Sequence, residues 1–168
     1  MAPRRLGWPG GLLIVAGVLA VDQGVKWLVL ETLDPGRSVP VLPFFNLVLV
    51  FNRGISFGLF AGHPLASAWL LSGIALAIVI GLLFWLRREQ RTLARFAIWM
   101  VIGGALGNVV DRLRYGMVVD FLDFYIRSYH WPAFNLADVA VVGGASLLIW
   151  ESFMEGREQP GETGEKTR

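Results

Sequence analysis

The chain has 168 residues, the length of one domain, of which 55% are hydrophobic and only 17% charged, whereas an ordinary soluble domain carries about 25% charge. The net charge is +2 and the arginines gather at the ends of apolar stretches, without a basic stripe interleaved with aromatics, so nucleic acid is not an expected partner. There is no cysteine and the only histidines are His63 and His130, which excludes disulfides, thiol nucleophiles and a multi-histidine zinc site within one chain. Carboxylates, hydroxyls and lysines are left to carry any chemistry.

Four apolar stretches are long enough to cross a bilayer as helices, which takes roughly 20 residues. The first spans 11–30. Arg4 and Arg5, the apolar run and Val18-Leu19-Ala20 imitate a cleavable secretory signal. Against that, Asp22 and Lys26 lie four apart on one helical face and can pair, and cleavage would leave them stranded. They serve either as an intrahelical ion pair or as part of a site.

The loop 31–64 follows. Phe44 to Phe60 reads FFNLVLVFNRGISFGLF, rich in β-branched and aromatic residues, with a turn signal at Asn52-Arg53-Gly54. It predicts two short strands joined by that turn. They form either an edge to which an extended peptide can pair or an apolar cap in the headgroup region.

The second span, 65–86, contains no charge, and a short basic loop, 87–93, connects it to the third span, 94–115. There Gly103, Gly104 and Gly107 favour close helix approach. Asn108, Asp111 and Arg112 fall three and four residues apart on one face, with Tyr115 beyond them. Charge within a span costs about 2.5–3.5 kcal/mol on insertion scales, so these residues are expected to be paired or functional.

A medium loop, 116–135, leads to the fourth span, 136–154. The tail 155–168 is rich in Glu, Gly and Thr and reads as disordered. Trp8, Tyr129 and Trp131 fit an interfacial aromatic belt. Arg4, Arg5, Arg87, Arg88, Arg91, Arg95, Arg157, Lys166 and Arg168 fall on one side, against Arg37, Arg53 and Arg127 on the other. Both termini are therefore expected in the cytoplasm and the two longer loops outside. The fold class expected is an all-α membrane protein, four transmembrane helices (domain 1–154) with a small extracytoplasmic β-rich cap.

Asp120 follows the outer end of the third span and Asp138 opens the fourth from the same side, so antiparallel helices bring both to one depth. Two neighbouring carboxylates do not both ionise easily, and such a pair suits amide hydrolysis: one member takes a proton from water while the other donates to the carbonyl or the leaving amine. Read alone, Asn135 and Asp138 are also an N-cap and its third helical residue. Asp120 and Asp123 alone are also plain solvated loop acids.

The string GGALGNVVDRLRYGMVVDF (103–121), followed by PAFNLAD (132–138), with DQGVK (22–26) and NRGISFG (52–58), resembles the lipoprotein signal peptidases (signal peptidase II), bacterial membrane aspartyl peptidases. Order and spacing agree over nearly the whole chain. The resemblance implies an endopeptidase that cuts the signal peptide from a prolipoprotein just before a diacylglyceryl-modified cysteine. Asp120 and Asp138 take the places of the catalytic pair. Asn52, Gly54, Asn108, Arg112 and Asn135 match positions that line the site, and Asp22, Lys26 and Asp111 match a supporting network. Ile55-Ser56 stand where the family often has small residues, which bears on the floor of the groove and not on the pair.

No metal and no organic cofactor are expected. The expected partners are the prolipoprotein and membrane lipid, with the enzyme a monomer in the bacterial cytoplasmic (inner) membrane and its site open to the outer leaflet. The dipole of the fourth helix favours Asp138 as the ionised member. A short amphipathic helix acting as a lid is expected between Asp120 and Pro132. Two other classes compete: a transporter relaying protons through Asp22, Lys26, Asp111 and Arg112, which needs acids at several depths, and a scaffold in which the polar residues only pack helices.

Overall fold

The computed structural model describes residues 6–54 and 64–158. Four helices, α1 (Trp8–Thr32), α2 (Pro64–Arg88), α3 (Thr92–Tyr115) and α4 (Leu136–Glu158), each contain a stretch apolar and long enough to cross a membrane. All four expected spans are present, each bounded within a few residues of its predicted ends. α4 runs to Glu158, past the predicted end at 154.

α3 is the central helix, packed against α1, α2 and α4. Its apolar window is 61% buried, against 17–22% for the others. The outward faces of those three carry Leu13, Trp27, Trp69, Ile80, Trp150 and Phe153, all exposed, which is the composition lipid requires rather than water.

The glycines explain why α3 can be central. A Cβ on Gly103 would press on Val18 of α1, one on Gly104 would run into the Ala137 carbonyl of α4, and one on Gly107 would lie 2.9 Å from Asp22 Oδ2. On α4, Gly144 answers in kind, with a built Cβ 2.6 Å from the Ala97 carbonyl of α3. At Gly104 and Gly144 the backbones of α3 and α4 come together because no side chain intervenes, and at Gly103 and Gly107 a side chain of α1 takes the space. At the other end, Arg95 donates to the carbonyls of Leu86 (2.7 Å) and Glu89 (3.0 Å) and to Leu6 (2.6 Å), capping α2 and fastening the start of α1.

The cap is a four-stranded antiparallel sheet in the order β1 (Ser38–Leu42), β2 (Phe45–Asn52), β3 (Val118–Ile126), β4 (Tyr129–His130). This corrects two expectations. The hairpin turn is Pro43-Phe44, not 52–54: β2 pairs upstream with β1 and across the chain with β3. The predicted second strand beyond Gly54, and Ile55-Ser56 with it, lie outside the described residues.

The stretch after Asp120 is strand, not an amphipathic helix. Its Val, Phe and Tyr content suits a pleated surface, and its backbone groups find partners on both sides, β2 on one and Phe134 on the other. With both edges of β3 occupied, the long open edge among the described residues is that of β1.

α3 stops at Gly116, whose φ of 73° places it in the left-handed region, and its N–H returns to the Arg112 carbonyl at 3.0 Å. The chain thus turns into β3 directly after the span. Val119 and Phe121, fully buried with Val29 and Leu49, dock the sheet on the bundle, each contributing about 1.5–3 kcal/mol of apolar burial.

Candidate active site

β3 and the N-terminus of α4 meet where the sheet joins the bundle, and Asn135 is the joint. The segment 131–134 runs antiparallel beside β3, with Leu122 N–H donated to the Phe134 carbonyl at 2.8 Å and the return bond at 3.1 Å. This pairing delivers Asn135, fully buried, next to Asp120. Its Nδ2 donates to Asp120 Oδ1 at 2.7 Å, and to the Val119 carbonyl at 3.3 Å.

The other end of the Asn135 side chain works as the helix cap. Its Oδ1 accepts the Asp138 N–H at 2.9 Å, while Asp138 Oδ2 accepts the Asn135 N–H at 3.2 Å. That reciprocal box is the capping geometry anticipated from the sequence. It also fixes the aim of the Asp138 carboxylate, whose Oδ1 accepts from Asn108 Nδ2 at 2.7 Å. One residue therefore holds both aspartates.

Asn52 closes the far side. It lies diagonally across from Asp120 on the shared face of β2 and β3, and its Nδ2 donates to Asp120 Oδ2 at 2.9 Å. Asn52 Oδ1 is occupied by the Gly54 N–H at 2.8 Å, which leaves the amide nitrogen pointing at the carboxylate. Gly54 has φ 71°, and a Cβ there would collide with the Leu71 side chain and reach within 3.8 Å of an Arg112 guanidinium nitrogen. Glycine is required for this close approach.

Asp120 is 1% exposed. Burial pushes its carboxyl up to about 6, against the amide hydrogen bonds from Asn52 and Asn135; the charge of Asp138 adds to the rise and that of Lys26 opposes it. Asp138 is only half-buried. Burial therefore bears on the two carboxyls unequally. A cavity of about 440 Å³ opens beside it, lined by Asn52, Arg53, Asp120, Pro132 and Ala133 among others. A more apolar cavity, about 410 Å³ between Phe44, Phe124, Tyr129 and Trp131, lies at the opposite end of the sheet, away from the carboxylates.

Arg112, half-buried, spends one donor on the Asn108 carbonyl at 3.3 Å and is within electrostatic reach of Asp138, Asp111 and Asp120. Among the described residues it makes no ion pair, which leaves guanidinium donors open.

Below the aspartates lies a buried ion cluster. Lys26 Nζ is 2.8 Å from Asp22 Oδ2 and 2.7 Å from Asp111 Oδ2, and 3.4 Å from Asn108 Oδ1. Gln23 completes it, donating to Asp111 Oδ1 at 2.8 Å and Asp22 Oδ2 at 3.2 Å. The sequence motif DQGVK contains Gln23 but gives it no role of its own, because the motif reads first as two charges. Every residue anticipated for the site therefore falls in one connected network: Asn52, Asn108, Asn135 and Arg112 beside Asp120 and Asp138, Gly54 behind them, Asp22, Lys26 and Asp111 beneath.

Asp123 does not belong there, and it is not the solvated loop acid it resembled. It is 7% exposed, held by Asn46 Nδ2 at 2.9 Å and His130 Nδ1 at 2.9 Å. Burial works against its charge, but these hydrogen bonds outweigh it and keep the carboxyl below the usual range. Among the described residues no three His, Asp or Glu side chains converge with metal-ligand spacing.

The family model described as "Signal peptidase (SPase) II" matches residues 14–154. A "Lipoprotein signal peptidase" of Azoarcus sp. (strain BH72) is 47% identical over 152 residues, covering 89% of this chain and 85% of that protein. One from Cupriavidus necator is 49% identical over 135 residues, 79% of this chain and 76% of the relative. One from Serratia marcescens is 43% identical over 147 residues, 87% and 86%. A solved structure described as "Bacterial membrane enzyme structure by the in meso method at 2.3 A resolution" superposes with a TM-score of 0.78 at 30% identity, covering 95% of this chain and 96% of the other.

Proposed function

The chain belongs to the signal peptidase II family, and on that premise we propose that it is an aspartyl endopeptidase in which Asp120 and Asp138 activate water to cut diacylglyceryl-modified prolipoproteins before the lipidated cysteine. The peptidase class and the prolipoprotein substrate follow from the family. The observation that carries the aspartyl mechanism is the joint at Asn135, which bonds Asp120 with its side chain and Asp138 through a reciprocal cap.

Asp120, with its carboxyl pushed up to about 6, holds the proton the pair shares. Asp138, at the positive end of α4, is the member that takes a proton from the attacking water. Asp120 then protonates the carbonyl oxygen or the leaving amine. The open donors of Arg112 suit the carbonyl oxygen as it gains charge. Asn108 and Asn52 keep each carboxylate turned toward the cleft.

The distribution of Lys and Arg supports a topology with both termini in the cytoplasm and the sheet on the outer side, the site then lying at the outer leaflet of the bacterial inner membrane. The cavity opens between β2, β3 and the segment before α4, at the end of a bundle whose outer faces are apolar and exposed, which suits a lipidated substrate entering sideways from the bilayer. The transporter reading loses support because Asp22 and Asp111 are already committed to Lys26 and to backbone amides.

The test is a gel-shift assay of a diacylglyceryl-modified prolipoprotein in detergent. Wild type is expected to shift the band, and folded Asp120→Asn and Asp138→Asn to leave it unmoved. Normal cleavage by either variant would place the chemistry elsewhere and revive the scaffold reading.

A further inference from the structure

The buried ion cluster reaches the two aspartates through backbone amides that hold equivalent places. Asp111 Oδ2 accepts the N–H of Val119 at 3.1 Å, and Val119 immediately precedes Asp120. Asp22 Oδ1 accepts the N–H of Ala137 at 2.8 Å, and Ala137 immediately precedes Asp138. Lys26 stands between the two carboxylates, and Gln23 spans them on a second path. Asp22, Lys26 and Asp111 are all at most 2% exposed.

An amide held at the preceding residue fixes where the next Cα can lie. β3 and α4 are joined through the short β4 and the segment after it, and their starts are also bridged directly by Asp111, Lys26 and Asp22 in line. In a dry interior such contacts are stiff, since moving one charge away from its partner is costly. Helix packing by itself needs none of this: Gly104 and Gly144 already hold α3 to α4 without any charge.

We propose that Asp22, Lys26 and Asp111, with Gln23 as brace, form a positioning clamp that sets the separation of Asp120 and Asp138 through the amides of Val119 and Ala137. The proposal rests on the reading of those two aspartates as the catalytic pair. It makes Gln23 a positioning residue for the reaction, bonded to Asp22 and Asp111 and not to Asp120 or Asp138.

A clamp and a merely stabilising cluster differ in what they move. A misplacement of about 1 Å costs on the order of a hundredfold in rate with binding untouched. A change in spacing also changes how strongly two carboxylates couple, which shifts the limbs of the pH–rate profile. The experiment measures kcat, KM and pH profile on folded, detergent-purified Asp111→Asn, Asp22→Asn and Gln23→Met, with lipidated prolipoprotein as substrate.

The clamp predicts that kcat falls by about tenfold or more in the Asn variants and several-fold in Gln23→Met, with KM nearly constant and the pH limbs displaced. Lower thermal stability with kcat and pH profile unchanged would overturn it. Gln23→Met keeps all three charges and decides the matter should the Asn variants fail to fold. Wild type and Asp120→Asn run alongside. An inactive wild type or an active Asp120→Asn removes the dyad itself, whereas a working dyad with an indifferent Gln23→Met removes only the clamp.

Discussion

Asp120 and Asp123 share one strand, yet their carboxyls are driven in opposite directions. Burial dominates at Asp120 and raises it from the usual 3.8 to about 6; hydrogen bonds from Asn46 and His130 win at Asp123 and lower it. The signs give opposite stability profiles. A raised carboxyl contributes stability that is complete below about 3.8 and is lost as pH climbs through about 6. Asp120→Asn, which carries no charge, should therefore unfold later than wild type above that range, by up to about 3 kcal/mol, while the two converge toward pH 4. Thermal melts across pH 4–8 test it, and a variant that loses stability as pH rises would contradict the burial argument. Asp123 behaves in reverse: its contribution is present above the usual carboxylate range and is lost as pH falls through its depressed value. Asn46→Ala should cost about 1–2 kcal/mol at neutral pH and leave kcat unchanged, since neither group touches the cleft. A fall in kcat would tie the far end of the sheet to the chemistry.

Among the elements, the close contact of α3 with α4 sets the base on which both aspartates stand. Gly104→Leu would drive a side chain into the Ala137 carbonyl, one residue before Asp138. Overpacking of this kind costs about 1–3 kcal/mol or more, and activity should fall with the melting temperature. Gly24→Ala is the control: a Cβ there meets nothing within 4 Å, so helix propensity should make it neutral or stabilising by up to about 1 kcal/mol. The helices were legible because each carries its signal within one window of the chain. The sheet was half legible. β2 announced itself by composition, but its pairing with β3 joins residues about seventy positions apart, which no local pattern encodes. β3 reads as loop in the sequence because it is buried on both faces near its start and so lacks alternation. The aspartates were found through their motif. The function of Gln23 was not, because the carboxylate it braces against α1 lies in α3.

For the molecule as a whole, orientation is the claim the positive residues make. The chain has no cysteine, so single introduced cysteines report cleanly. Arg127→Cys, in the turn between β3 and β4, should react with a membrane-impermeant maleimide on spheroplasts, and Gln90→Cys, between α2 and α3, should not until the membrane is broken. The reverse pattern would invert the topology and put the aspartates on the wrong face for a lipoprotein substrate. Burial, hydrogen bonding and charge converge on a single site at the sheet–bundle junction, built on helices whose outer faces need lipid. Mass spectrometry of the product tests its function most directly: purified enzyme with a diacylglyceryl-modified prolipoprotein, beside Asp120→Asn and Asp138→Asn. Wild type should yield a mature chain beginning at the lipidated cysteine, and both variants should leave the precursor intact. A cut at another bond, or the same product from either variant, would contradict it.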